Sequence, residues 1–302
     1  MKYTYKAAGV DVARGDEFAN NIKNTANIPS WIVKEPTGYA TIINFTTPMI
    51  AVTADGIGTK ILLHIEHETW DDAARDLIAM NYNDLICVGA KPLAFLDYLG
   101  LHKIDENTKK FITSLIKELE RHDMYLIAGE TAEMPDLYME NHMDAAGFAI
   151  GKIIKLFDHK NIKSGDYIMA LDSSGFHSNG WSLIRKIIKE EEINIEELPF
   201  NLLEGTKIYS EMIKYFDDIK AIAHVTGGGI LRALKRLLGG FGCKIQLEKK
   251  DFVEWILKFV DFGEAILTFN MGYGLLFVTE KPNSLPGKII GKVNESDIEI
   301  KI

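Results

Sequence analysis

Apolar and polar positions along this chain follow two alternating periods. "MIAVTAD" (49–55) is a small, apolar run ending in an acid and reads as a strand. "WDDAARDLIAMNYNDLICVGA" (70–90) has the helical period, with Ala74, Leu77, Ile78, Leu85 and Ile86 on an apolar side. "PLAFLDYLGL" (92–101) is strand-like, and "DENTKKFITSLIKELERHD" (105–123) is an amphipathic helix with acids in its first turn. "MYLIAG" (124–129) reads as a short buried strand and "DAAGFAIGKII" (144–154) as another. The polar stretch "KLFDHKNIKSGD" (155–166) ends in a turn and marks a boundary. The pattern then restarts: strand "YIMALDS", helix "SNGWSLIRKIIKEE", helix "TKIYSEMIKYF", strand "IKAIAHV", and the glycine-led helix "GGGILRALKRLL". "CKIQL", "GYGLLFVT" and "GKIIGKV" follow as strands. Both halves mix the two element types, so the fold class is α/β or α+β with two domains, expected at 1–158 and 159–302.

Composition narrows the function. With 302 residues and 47% hydrophobic content the chain can bury a sizeable core. A net charge of −9 without a basic block argues against nucleic acid or an anionic membrane as partner. Cys87 and Cys243 form no metal spacing and no disulfide framework. The first residues carry no secretory h-region, and no apolar run is long enough for a bilayer, so a cytoplasmic enzyme or binding protein is expected.

Several element junctions carry candidate chemistry. "ADGIGTK" places Asp55 before Gly56, Gly58, Thr59 and Lys60. It lacks the spacing of a P-loop and the third glycine of a dinucleotide fingerprint. An acid at a strand end fits Mg²⁺, and glycine N–H groups fit an anion; a tight turn with a solvated acid fits equally well. In "MNYNDLICVGAKP", Asn81, Asn83 and Asp84 interrupt an apolar helix and need partners, structural or ligand. "AGETAEMPD" carries Glu130 and Glu133, suited to Mg²⁺ or acid–base work, or to a solvated loop. "SSGFHSNGWS" offers His177, Ser178 and Asn179 at a helix start, an anion site or a plain cap. "HVTGGGILRALKR" is a second glycine-led helix start, whose lone histidine reads as packed.

Taken in order, "YKAAGVDVARGDEFANNIK", "ADGIGTK", "MNYNDLICVGAKPLAFLDY", "GETAEMPDLY", "SSGFHSNGWSLIRK", "AIAHVTGGGI" and "FNMGYG" resemble the aminoimidazole ribonucleotide synthetase (phosphoribosylformylglycinamidine cyclo-ligase) family from Tyr5 to Gly274. The resemblance implies ATP-dependent ring closure of formylglycinamidine ribonucleotide in purine synthesis, releasing ADP and phosphate. It implies a homodimer whose N-terminal sheets pair into a barrel. It also implies site roles. Asp55, Asp84 and Glu130 are Mg²⁺ candidates, and Asp55, Asp84 and Lys60 carry the catalysis. Lys23, Gly38, Lys60 and Glu130 lie by the nucleotide. Gly56, Gly58, Thr59, Asn83, His177, Ser178 and Asn179 lie by the substrate.

The chain departs from the family pattern in several places. Only Gly38 stands where the family has a "GGFG" segment, Ala128 replaces a glycine before "GETAEMP", and "AILTFN" lacks the family's tyrosine–arginine pair. "EKPNSLPGKIIG" leaves no room for a long final helix between its prolines. The alternatives are a fold relative such as thiamine-monophosphate kinase, or a catalytically silent nucleotide-binding scaffold.

Overall fold

Strand alternation and helix spacing resolve into two mixed sheets, each covered by helices. The computed structural model describes residues 3–8, 13, 17, 30–33, 37–44 and 47–302. The first sheet contains β1 (Ile32–Val33), β2 (Thr41–Ile43), β3 (Ile50–Gly56), β4 (Ala90–Leu101), β5 (Tyr125–Glu133) and β6 (Met143–Ile153). Its order is β1-β2-β3-β6-β4-β5. All its pairs are antiparallel except β4–β5, whose parallel register needs a crossover.

Three helices accompany this sheet: α1 (Ile61–Glu66), α2 (Trp70–Cys87) and α3 (Glu106–Arg121). Helix α3 is the crossover. Asp105 starts it by accepting from Thr108 N at 2.8 Å, while Thr108 Oγ1 accepts from Asp105 N at 3.3 Å. Phe111, Leu115 and Leu119, four residues apart, form its buried stripe. Helix α2 differs: every residue from Asp76 to Cys87 is buried, because β3, β4 and β6 lie on one side and the second half of the chain on the other.

The second sheet has the order β12-β9-β11-β7-β10-β8. Its strands are β7 (Tyr167–Asp172), β8 (Ala221–His224), β9 (Gly242–Gln246), β10 (Tyr273–Thr279), β11 (Lys288–Asn294) and β12 (Ile298–Lys301). Strand β10 is buried throughout, as its unbroken apolar run requires of a central strand covered on both faces. Helices α4 (Trp181–Glu190), α5 (Gly229–Leu238), α6 (Asp251–Ile256) and α7 (Phe262–Thr268) complete this half.

Two expectations change and a third, the missing final helix, holds. The "MYLIAG" strand is neither short nor buried: β5 runs to Glu133 along the edge of its sheet, largely exposed. "TKIYSEMIKYF" is not one helix; a 3₁₀ run covers Ser210–Asp218, and Thr206 to Tyr209 lead into it from a polar seam along α2. Between the last two prolines there is only a 3₁₀ turn, Pro282–Ser284.

Candidate active site

The acid junction at the end of β3 is built from α2 upward. Asn81 acts like a missing strand: its Oδ1 accepts from Asp55 N at 3.1 Å, and its Nδ2 donates to Asp55 O at 3.2 Å. The same amide donates to Leu77 O at 3.0 Å. Asp55 then turns its own carboxylate onto Gly56 N at 2.8 Å. Asp84 follows Asn81 by three residues and lies on the same side of α2.

Asp84 accepts from His224 Nδ1 at 2.9 Å, across from the end of β8. Asn83 Nδ2 points at His224 Nε2 at 3.3 Å, and an amide nitrogen can only donate. The imidazole therefore carries its proton on Nδ1, toward Asp84. Tyr39 donates to the His224 carbonyl at 2.9 Å, and Arg236 lies 4.8 Å over the Tyr39 ring.

Electrostatically, two carboxylates crowd this corner. Burial, and then the Asp84 charge, push the Asp55 carboxyl up to about 6, against the Gly56 hydrogen bond and His224. Burial likewise raises Asp84, with His224 and Arg236 pulling the other way. Two crowded carboxylates of this kind fit Mg²⁺, which takes one or two carboxylates and fills its shell with phosphate oxygens and water. Among the described residues no three His, Cys, Asp or Glu side chains are grouped to hold a metal.

Other expected residues sit elsewhere. Lys60 is fully buried in an ion pair with Asp76 Oδ2 at 2.7 Å. It also donates to Glu204 O at 2.8 Å and lies 5.0 Å over the Trp181 ring. With these partners its charge is spent inside the protein, and it does not face an external phosphate. Asn83 is also turned inward, accepting from Tyr209 N at 3.1 Å and donating to Lys207 O at 3.0 Å.

Glu130 does not join Asp55. It pairs with Tyr98, which pairs with Ala146, which pairs with Gly56. That places it three strands away, roughly 14 Å, and on the opposite face from Asp55. Glu133 holds the turn after β4 by accepting from Ile104 N at 2.8 Å.

The glycine turn is open. Gly58 adopts φ +70 with no atom within 4 Å of a would-be Cβ, so it is conformation, not space, that calls for glycine. Thr59 Oγ1 lies 3.3 Å from Ser182 Oγ on α4. The "SSGFHSNG" loop is anchored mostly by its own side chains. His177 is buried with φ +56, and its Nε2 accepts from Ser174 N at 3.1 Å and Lys207 N at 3.4 Å. Its Nδ1 is buried without a partner, and burial holds its pKa well below 6.5, so a neutral imidazole ties Ser174 to Lys207. Asn179 donates to Val225 O at 3.0 Å, and Ser178 Oγ lies 3.1 Å from Thr206 Oγ1. Gly38 is exposed beside Tyr39, on the Asp84–His224 side. Lys23 lies outside the described residues.

This two-sheet fold with an acid-and-glycine corner defines a class. The family models for AIR synthase related protein match it, the N-terminal domain over residues 38–153 and the C-terminal domain over 163–300. Among named relatives, the phosphoribosylformylglycinamidine cyclo-ligase of Clostridium perfringens strain 13 is 36% identical, covering 92% of this chain and 90% of the relative. That of Methanosarcina mazei is 34% identical, covering 99% and 97%. The chain belongs to the phosphoribosylformylglycinamidine cyclo-ligase family.

Solved structures share the fold alone. A HypE–HypF complex matches with TM-score 0.67 at 20% identity, over 94% of this chain and 95% of that one. Thiamine monophosphate kinase from Aquifex aeolicus matches with TM-score 0.68 at 15% identity, over 96% and 98%.

The sequence reading missed the Asp84–His224 pair, because the two residues are 140 positions apart and meet only through the packing of α2 on β8. It also missed Asp76. One signal was available: a carboxylate flanked by Ala73, Ala79 and Met80 on a helix face has to be paired when buried.

Proposed function

We propose that this chain closes the imidazole ring of aminoimidazole ribonucleotide from formylglycinamidine ribonucleotide, consuming ATP and releasing ADP and phosphate. The γ-phosphoryl group passes to the formyl amide oxygen. The amidine nitrogen of the same molecule then attacks the activated carbon, and phosphate leaves with that oxygen. The attack is intramolecular, so the protein's share is positioning and charge neutralisation, with no protein nucleophile.

The observation that carries this reading is the Asp55–Asp84 pair, held by Asn81 and His224 where the two halves meet. It sits in a chain whose named relatives are cyclo-ligases. Asp55 and Asp84 would hold Mg²⁺, which would neutralise polyphosphate charge when bound. Gly56, Gly58 and Thr59 border the same corner; the Gly56 amide is taken by Asp55, and those of Gly58 and Thr59 suit an anion there. The working boundary between the domains is 158/159, within the polar stretch after β6.

The reading includes a homodimer with the first sheets face to face in a barrel. It is supported by a bare outer face: Phe148 on β6 is 44% exposed, and Tyr125 and Ile127 on the edge strand β5 are 56% and 60% exposed. An apolar face next to an unpaired strand edge is a surface that soluble monomers avoid. Among the described residues no helix is long and apolar enough to cross a membrane. The reading places the enzyme in the cytoplasm, with small-molecule substrates and no nucleic acid partner.

The test is incubation of purified protein with ATP, Mg²⁺ and formylglycinamidine ribonucleotide. Aminoimidazole ribonucleotide is expected in step with ADP. ADP formation with thiamine monophosphate alone would overturn the reading.

A further inference from the structure

Outside the acid corner, Asp76 is fully buried in the middle of α2. Both oxygens are saturated. Oδ2 accepts from Lys60 Nζ at 2.7 Å and His64 Nε2 at 2.8 Å. Oδ1 accepts from Thr206 N at 2.8 Å and Thr206 Oγ1 at 2.6 Å. His64 is closed off in turn by Thr69 Oγ1 at 2.6 Å from its Nδ1. Burial alone would raise the Asp76 pKa; the Lys60 charge and the His64 hydrogen bond outweigh it and bring it down to about 2.

The two sides of this carboxylate belong to different halves of the molecule. Lys60 ends the glycine turn that begins at Asp55. Thr206 belongs to the second half and touches the "SSGFHSNG" loop. Since Thr206 Oγ1 gives its proton to Asp76, it must accept from Ser178 Oγ at 3.1 Å. One residue back, Ser174 Oγ donates to Gly205 O at 2.7 Å and Asp72 Oδ1 accepts from Gly205 N at 2.8 Å. Further on, Asn83 takes Tyr209 N. Asp72, Asp76 and Asn83 are spaced i, i+4, i+11 and lie on one stripe of α2. This stripe supplies hydrogen-bond partners to a backbone that no strand pairs.

We propose that Asp76 is a positioning residue for the ring-closing reaction: through Lys60 on one oxygen and Thr206 on the other, it fixes the glycine turn at Asp55 relative to the Ser174–Asn179 loop. Asp76 touches neither substrate. The turn carries Asp55 of the acid corner and the loop carries the substrate-side candidates Ser178 and Asn179 under the proposed function, on which this inference rests. A buried ion pair adds little stability over a hydrophobic pair of the same size, whereas its attested use is to specify one arrangement.

The experiment compares wild type, Asp76→Asn, Thr206→Val, Ser178→Ala and the double variant Asp76→Asn/Ser178→Ala. Turnover by the wild type comes first; its absence would count against the proposed function and not against this link. Thr206→Val removes the hydroxyl bridge from Asp76 to Ser178 while keeping the residue-206 N–H bond to Asp76 and the Lys60–Asp76 pair, so it decides the matter even where Asp76→Asn fails to fold. The expected result is a folded Thr206→Val with near-wild-type melting and kcat lowered about tenfold, short of the ~10²-fold that a 1 Å misplacement costs. Its KM for ATP stays put. Where Asp76→Asn folds, the double variant is expected to be no slower than Asp76→Asn alone, because both cut one chain of contacts. Wild-type kcat and KM in folded Thr206→Val would overturn the proposal. So would activity losses that match the lost fraction of folded protein, or additive effects in the double variant.

Discussion

Replacing Asp55 by Asn is expected to make the protein more stable and less active, with the stability gain switched on by pH. Asn keeps the oxygen that accepts from Gly56 N and the Asn81 contacts to the backbone, so the corner retains its shape. What it loses is a charge that burial and Asp84 both oppose. The Asp55 pKa rises from 3.8 to about 6. The native state thus holds the proton to higher pH than the unfolded chain does. Its contribution to stability is fully present below 3.8, declines as pH climbs through about 6, and is flat above. The full rise corresponds to ~3 kcal/mol. Solvent reaches part of the side chain, so about 1–3 kcal/mol is the working range. For a protein of this size that is roughly 2–5 °C in melting temperature. The assay is thermal unfolding of both proteins without divalent cation, from pH 4 to 8. The curves should coincide near pH 4 and separate as pH rises, with the variant on top. A pH-independent gap, or a variant less stable at pH 8, would refute the reasoning.

Other expectations follow from the same geometry. Asp84→Asn should stay folded and lose most turnover, read as ADP release; near wild-type activity in the folded variant would remove Asp84 from the metal corner. Gly274→Ala should cost about 1–3 kcal/mol in unfolding experiments, the usual range for overpacking. Its new Cβ would lie 2.1 Å from Tyr209 Oη and 2.3 Å from His177 Cε1. Phe148→Glu, in the middle of the bare sheet face, should give a monomer in sedimentation; an unchanged dimer would move the interface elsewhere.

How much of this was legible in the sequence depends on what each residue's role requires. Strands β3 and β4 and helices α2 and α3 could be read because one face of each is repeatedly apolar. The acids Asp55 and Asp84 could be read because charge at a strand end and inside an apolar helix is costly without a partner. Lys60 could not. Its residue type and its glycines invite a phosphate, and only the fold brings Asp76 and the Trp181 ring to meet it. Glu130 was misplaced for a related reason. "GETAE" has loop composition, but pairing with β4 draws it into an edge strand and alternation turns the side chain away from the corner. His177 reads as a ligand by type. The two backbone N–H groups at its Nε2 show it holding loops together.

Helix α2 has a consequence for how freely the halves of this chain can be exchanged. Its sequence belongs to the first half, yet its polar stripe completes the hydrogen bonding of Gly205, Thr206 and Tyr209 in the second. Severed near residue 158, one fragment would bare a row of carboxylates and amides meant for burial, and the other would lose partners for its main chain. The two-domain description therefore holds for architecture but not for modularity. The halves are expected to unfold as one cooperative unit, and a chimera to keep its integrity only when α2 travels with the segment it pairs with.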